Sequence, residues 1–321
     1  MKSFFNSQLF LLLKTARPKQ WLKNFALYAA LVFSGFFFYK PEDGPSYFYL
    51  VSYAFIIFCL LTSSTYILND LFDIEADRKH PFKKNRPLAS GKLSIPTAIF
   101  AIAFCLALVF WLSLPLTLVF KLLIFAYLIL QILYSLYFKQ IAILDIISIA
   151  AGFLIRVYAG AVVVNLHMSV WFLLTVISMS LFLAVGKRQS ERILMTEHKL
   201  SFVRKSLNTY SARLLDQYTS IFATSTWLTY ALFAFQSSPG DGLNLLYERF
   251  PNLVINLPRT LQSQKLLMLT LPLVIFGIMR YLQLVYEENR GEAPADVLLK
   301  DKTLLVTVFL WFISVMFVFY A

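Results

Sequence analysis

Three aspartates carry the clearest chemistry in the chain. Asp70, Asp73 and Asp77 lie in Asn69-Asp70-Leu71-Phe72-Asp73-Ile74-Glu75-Ala76-Asp77, where a long apolar stretch runs out into a basic one. On a helix, the spacing i, i+3, i+7 brings them to one face. Asn69 stands one turn before Asp73, and Tyr66 continues the stripe toward the apolar side. Carboxylates this close repel each other unless a cation joins them. In a membrane-rooted helix the natural guest is a hard divalent ion, Mg2+, carrying a diphosphate. The alternative is a solvated acidic helix end. Asn69, Asp70, Asp73 and Asp77 are therefore the expected metal-binding set, with Asp70, Asp73 and Asp77 expected to be catalytic.

Cations follow at once in Arg78-Lys79-His80-Pro81-Phe82-Lys83-Lys84-Asn85-Arg86-Pro87. A metal-bound diphosphate keeps excess negative charge, which Lys83, Lys84 and Arg86 could neutralise by folding back over the carboxylates. Lys23 and Asn24, beyond Trp21, lie one turn into the first apolar segment. A charge there faces a wet cavity or snorkels to the surface, and phosphate contact is the reading we favour for Lys23. Asp145, Ser148, Gly152, Arg156 and Gly160 share a face of another apolar segment. Arg156, deep in that segment, needs either a carboxylate on another helix or an anion such as a lipid or ribose phosphate. Asp145 is too far along the helix to pair with it. A second cluster, Gly186-Lys187-Arg188-Gln189-Ser190-Glu191, ends a later segment, where Lys187, Arg188 and Glu191 could grip a second anionic group. Lys139 sits alone in a short loop.

These side chains need a membrane-embedded scaffold. The chain has 321 residues, 59% of them hydrophobic, and a mean hydropathy of +0.69. That composition predicts an all-α, polytopic membrane helical bundle in a single domain, 1–321. Apolar segments near 21–39, 47–69, 94–113, 116–137, 143–164, 169–186, 215–236, 266–286 and 303–320 predict about nine spans. The net charge of +12 would suit nucleic acid, but its distribution does not. The basic residues gather in alternate loops, the positive-inside pattern. This places the N-terminus and both charged clusters in the cytoplasm and the protein in the cell (inner) membrane. Cys59 and Cys105 lie in apolar runs and read as small buried residues. The three histidines show no ligand spacing. The stretch 237–264 reads as a long outer loop lying on the membrane surface.

The arrangement resembles the UbiA superfamily of intramembrane prenyltransferases, whose NDxxDxxxD motif matches Asn69, Asp70, Asp73 and Asp77. Its usual second aspartate motif, DxxxD, is replaced here by GKRQSE. That replacement, with RPKQWLKN, NRPLASGKLS, LDIISIAAGFLIRVYAG and GEAPADVLLKD, is similar to the decaprenyl-phosphate phosphoribosyltransferase branch. The resemblance implies a UbiA-like bundle and transfer of 5-phosphoribose from phosphoribosyl diphosphate to a polyprenyl phosphate. It implies Mg2+ on Asn69 and Asp73, supported by Asp70 and Asp77, with Lys187 and Arg188 at the lipid phosphate together with Arg156 and Lys139. Tyr66 and Asp145 would complete the substrate-binding set. A homo-oligomer is left open.

Two rival functions fit parts of the pattern. An ordinary UbiA-type prenyltransferase with an aromatic acceptor would keep the first motif, but the missing DxxxD opposes it. A divalent-cation or phosphate transporter would use Asp145 and Arg156, but no inverted repeats are evident.

Overall fold

The computed structural model describes residues 2–79, 83–198, 205–237, 265–287 and 294–320, which are all-α with short 3₁₀ segments. The helices are α1 (Lys2–Ala16), α2 (Ala29–Val32), α3 (Tyr47–Phe72), α4 (Ile74–Lys79), α5 (Ile95–Ser113), α6 (Leu118–Leu136) and α7 (Leu144–Val163). They continue with α8 (Val170–His198), α9 (Lys205–Thr209), α10 (Ala212–Gln236), α11 (Leu271–Tyr286), α12 (Pro294–Lys300) and α13 (Lys302–Tyr320). Several starts are set by hydroxyl caps. Ser46, Ser94, Thr117 and Ser211 accept from the backbone N–H groups of Tyr49, Thr97, Phe120 and Leu214, which satisfies donors that a helix N-terminus leaves orphaned.

Among the described residues seven helices, not nine, are long and apolar enough to cross a bilayer: Tyr47–Phe72, Ile95–Ser113, Leu118–Leu136, Leu144–Val163, Val170–Ile193, Leu266–Tyr286 and Lys302–Tyr320. Two expected spans differ. The segment 21–39 is an eleven-residue 3₁₀ run, Pro18–Tyr28, followed by the single turn α2. The segment 215–236 is helical, within α10, but that helix is rich in Ser and Thr and carries Arg213 and Asp216 near its start. The expected outer loop lies outside the described residues beyond Ser237.

The described residues divide into two compact units. The first draws on Met1–Ala29, Lys40–Asn165 and Leu200–Thr209. In it α3 packs against α1, α5, α6, α7 and the 3₁₀ run, and α7 packs against α6 and the same run. The 3₁₀ run is tied to α3 by side chains: Trp21 Nε1 donates to Ser63 Oγ (3.0 Å), Asn24 Nδ2 to Thr62 Oγ1 (3.2 Å) and Tyr28 OH to Ser52 Oγ (2.8 Å). On its other side it meets α7 backbone to backbone. A Cβ added at Gly160 would lie 1.8 Å from the Leu27 carbonyl oxygen. A 3₁₀ run this long is rare, and these two sets of contacts hold it.

The second unit draws on Ala30–Tyr39, Leu166–Lys199 and Tyr210–Ala321. There α8 packs along α10, and α11 along α13. Phe33 joins the rings of Phe172, Phe233, Trp311 and Phe319 in one aromatic cluster.

Candidate active site

The acidic residues do not ride on one uninterrupted helix. α3 ends at Phe72, Asp73 caps it outside helical geometry (φ −94°, ψ 5°), and α4 restarts at Ile74. The break is bridged by Asp73 N–H donating to Asn69 O (3.0 Å) and Asp77 N–H donating to Asp73 O (2.7 Å). It divides the stripe into two groups, both in the first unit.

In one group, Arg86 Nη1 donates to Asp70 Oδ1 (3.1 Å) and to Asp77 Oδ2 (2.7 Å), so one guanidinium spans the break. Arg17 Nη2 reaches the same Asp70 oxygen at 2.5 Å, with its guanidinium carbon 5.3 Å from the centre of the Tyr66 ring. Asp70 and Asp77 are buried. Burial pushes the Asp77 carboxyl above the usual carboxylate range, opposed by Arg86 and more weakly by Lys83. In the other group, Lys139 Nζ pairs with Asp73 Oδ1. Asn69 Nδ2 donates to Asp73 Oδ2 (3.2 Å), and Ser135 Oγ donates to Asn69 Oδ1 (3.0 Å).

Thus the structure brings Asn69, Asp70, Asp73, Asp77, Tyr66, Arg86 and Lys139 together at the end of α3. Lys83 lies within electrostatic reach of Asp77, whereas Lys84 is exposed in the same 3₁₀ turn. Lys23 is half-buried on the 3₁₀ run. Sequence reasoning left Arg17 and Ser135 out of the site. Arg17 had one signal, a cation directly before the proline that opens the 3₁₀ run. Ser135 had none.

Arg156 lies apart from the acidic groups, 5% exposed. Of the two partners left open for it, a carboxylate on another helix is not found among the described residues. Nε donates to Asn24 Oδ1 (2.9 Å), Nη1 to Gly152 O (2.8 Å) and Nη2 to Tyr127 OH (2.7 Å). The guanidinium also sits 4.8 Å from the Tyr127 ring centre and 5.5 Å from that of Phe153. Neutral dipoles and π faces therefore solvate the charge, and Gly152 leaves room for it. Asp145 is fully buried at the start of α7 and accepts from Ser206 Oγ (3.2 Å).

In the second unit, Arg188 is fully buried and pairs with Glu191, while Lys187 Nζ lies 3.9 Å from the same carboxylate. Of the two cations, Lys187 is the more exposed.

The donors at the end of α3 fit a hard divalent cation. All are oxygens, and the Asn69 amide touches the Asp73 carboxylate. Among the described residues no three His, Cys, Asp or Glu side chains form a ready metal cage.

Comparison with known proteins bears on the chemistry. The model of the UbiA prenyltransferase family matches residues 26–313. Decaprenyl-phosphate phosphoribosyltransferase of Mycolicibacterium smegmatis is 33% identical over 94% of this chain and 89% of its own length. Its Corynebacterium glutamicum counterpart is 32% identical, over 96% and 86%. Among solved structures, a UbiA homolog from Archaeoglobus fulgidus bound to GPP and Mg2+ superimposes with a TM-score of 0.66 at 16% identity, covering 97% of this chain and 100% of its own. A UbiA homolog from Archaeoglobus fulgidus bound to Cd2+ also matches (TM-score 0.61, 18% identity, 97% of this chain and 100% of its own).

Proposed function

Because the chain belongs to the UbiA prenyltransferase family, and is a multi-pass membrane enzyme of that family, we propose that it transfers 5-phosphoribose from phosphoribosyl diphosphate to a polyprenyl phosphate. The observation that carries this is the near-full-length similarity to decaprenyl-phosphate phosphoribosyltransferases, joined to a DxxxD motif replaced by Lys187, Arg188 and Glu191. A phosphate acceptor calls for cations where an aromatic acceptor would not.

In the proposed reaction an oxygen of the lipid phosphate forms a bond to the anomeric carbon of the ribose. The bond from that carbon to the diphosphate breaks, and the diphosphate leaves with the electron pair. The nucleophile is already an anion, so no proton need be removed. Asn69 and Asp73, supported by Asp70 and Asp77, would hold Mg2+, which supplies charge stabilisation for the departing diphosphate. Arg17, Lys83 and Arg86 neutralise what charge remains, and so does Lys139, which was expected at the lipid phosphate but pairs with Asp73 in the structure; Lys187 binds the acceptor phosphate. Catalysis is then positioning and electrostatics. Residues 1–321 act as one transferase domain in the cell membrane. Its N-terminus and acidic motif face the cytoplasm, by the positive-inside distribution.

Steady-state kinetics with each substrate varied in turn test these roles. A charge-assisted phosphate contact is worth roughly 1.5–3 kcal/mol, so Lys83→Ala and Arg86→Ala should raise KM for phosphoribosyl diphosphate by about one to two decades. Lys187→Ala should instead impair use of polyprenyl phosphate. Loss of phosphoribosyl diphosphate binding in Lys187→Ala, with lipid use intact, would reverse the two assignments. Diphosphate release from a prenyl diphosphate and an aromatic acceptor, but not from phosphoribosyl diphosphate, would replace this function with ordinary prenyl transfer.

Arg17 separates charge from backbone. It holds a left-handed conformation (φ 55°, ψ 62°), which costs a non-glycine residue on the order of 1 kcal/mol. Arg17→Gly relieves that cost but removes one of the two arginines on buried Asp70, so it should melt close to the parent protein while using phosphoribosyl diphosphate about tenfold less well. Unchanged KM and kcat would remove Arg17 from the site.

A further inference from the structure

The turn that presents Lys139 to Asp73 is strained. The 3₁₀ turn Phe138–Gln140 leads to Ile143, whose φ of 72° and ψ of −49° lie close to a classic γ-turn. For a β-branched residue this is a true outlier, and such geometry persists only where surrounding structure over-determines it. The surroundings include a polar clamp. Ser206, fully buried on α9, has its hydroxyl 3.0 Å from the Lys139 carbonyl oxygen and 3.2 Å from Asp145 Oδ2. It thus spans the turn, contacting the backbone before Ile143 and a carboxylate after it. Asp145 is itself fully buried. The Lys139 side chain leaves this clamped backbone to meet Asp73 on α3.

We propose that Ser206 and Asp145 form a latch that positions Lys139 against Asp73, making both positioning residues and not substrate ligands. The latch carries a second consequence. Ser206 belongs to α9, far from the acidic motif in sequence, so α9 reaches the Lys139–Asp73 pair through the Ser206 hydroxyl. The role assigned to Lys139 at the diphosphate site is the premise here, and the two can be tested apart.

The direct measurement is the reactivity of Lys139 toward an amine-labelling reagent, quantified by mass spectrometry on the detergent-solubilised full chain, with exposed Lys84 as internal reference. In Ser206→Ala, labelling of Lys139 relative to Lys84 should rise severalfold. Unchanged relative labelling overturns the latch whatever the kinetics show. In the kinetic test, Ser206→Ala should raise KM for phosphoribosyl diphosphate on the order of fivefold, the size of one lost neutral hydrogen bond, and leave KM for polyprenyl phosphate alone. In a Lys139→Ala background the same substitution should add less than about twofold, because residues acting through one another are not additive. Equal effects in both backgrounds overturn the latch. If Lys139→Ala leaves turnover untouched while Ser206→Ala still raises labelling, the latch stands and the placement of Lys139 in the diphosphate site fails. Asp145→Asn, measured identically, should behave as Ser206→Ala does. Additivity with Lys139→Ala there would again overturn the proposal.

Discussion

Replacing Asp73 with alanine is expected to lower turnover by about three decades while the protein still inserts and purifies. Asp73 is the carboxylate at the break between α3 and α4, and it has the Asn69 amide on one oxygen and Lys139 on the other. A metal at such a position supplies several kcal/mol of charge stabilisation, and each ~1.4 kcal/mol is a decade in rate. The assay is diphosphate release from phosphoribosyl diphosphate in the presence of polyprenyl phosphate, with and without EDTA. Near-normal activity in Asp73→Ala, or wild-type turnover that survives EDTA, would remove the metal from the scheme. Melting curves for the variant should stay close to those of the parent, since Asp73 is the least buried of the three aspartates.

Gly160→Val is expected to prevent folding outright. Any β-carbon at 160 would fall 1.8 Å from the Leu27 carbonyl oxygen and 2.6 Å from its carbon. The obstruction is backbone, so no side-chain rotation relieves it. Overpacking usually costs about 1–3 kcal/mol, and displacing a main chain that carries Asn24 and follows Arg17 lies beyond that range. Even Gly160→Ala should lower both yield and melting temperature and should weaken activity in whatever protein survives. Thermal melting in detergent checks this. A Val variant that purifies in normal amounts and melts with the parent would refute the close approach of α7 to the 3₁₀ run.

The end of α3 was legible in the sequence because charge is so costly in an apolar chain that regular spacing stands out. Asn69, Asp70, Asp73, Asp77 and the returning Arg86 come together as their spacing and signs require. The break at Asp73 was not legible, since the local pattern continues helical periodicity through it. The 3₁₀ form of the segment 21–39 was not legible for a different reason. Apolar averaging counts its Phe, Leu and Ala but is blind to the hydrogen bonds that Trp21, Asn24 and Tyr28 make to Ser63, Thr62 and Ser52. In α10 the hydroxyls of Thr219, Ser220 and Thr226 fold back onto backbone carbonyls one turn earlier, which satisfies them inside the helix without favouring it, a pairing that average hydropathy does not register. Ser206 lies in a polar stretch with no periodicity, and only tertiary contact gives it meaning.

The neutral setting of Arg156 has a bearing on how the chain is made. An arginine at the centre of an apolar helix costs roughly 2.5–3.5 kcal/mol on insertion scales, so α7 is a poor candidate to enter the bilayer alone. Its two side-chain acceptors, Asn24 and Tyr127, both precede it in the chain. They are synthesised before Arg156 leaves the ribosome, and α6, which carries Tyr127, is the helix immediately before α7. Biogenesis is thereby given an order: the hydrogen-bond acceptors are translated first and the cation that requires them arrives last.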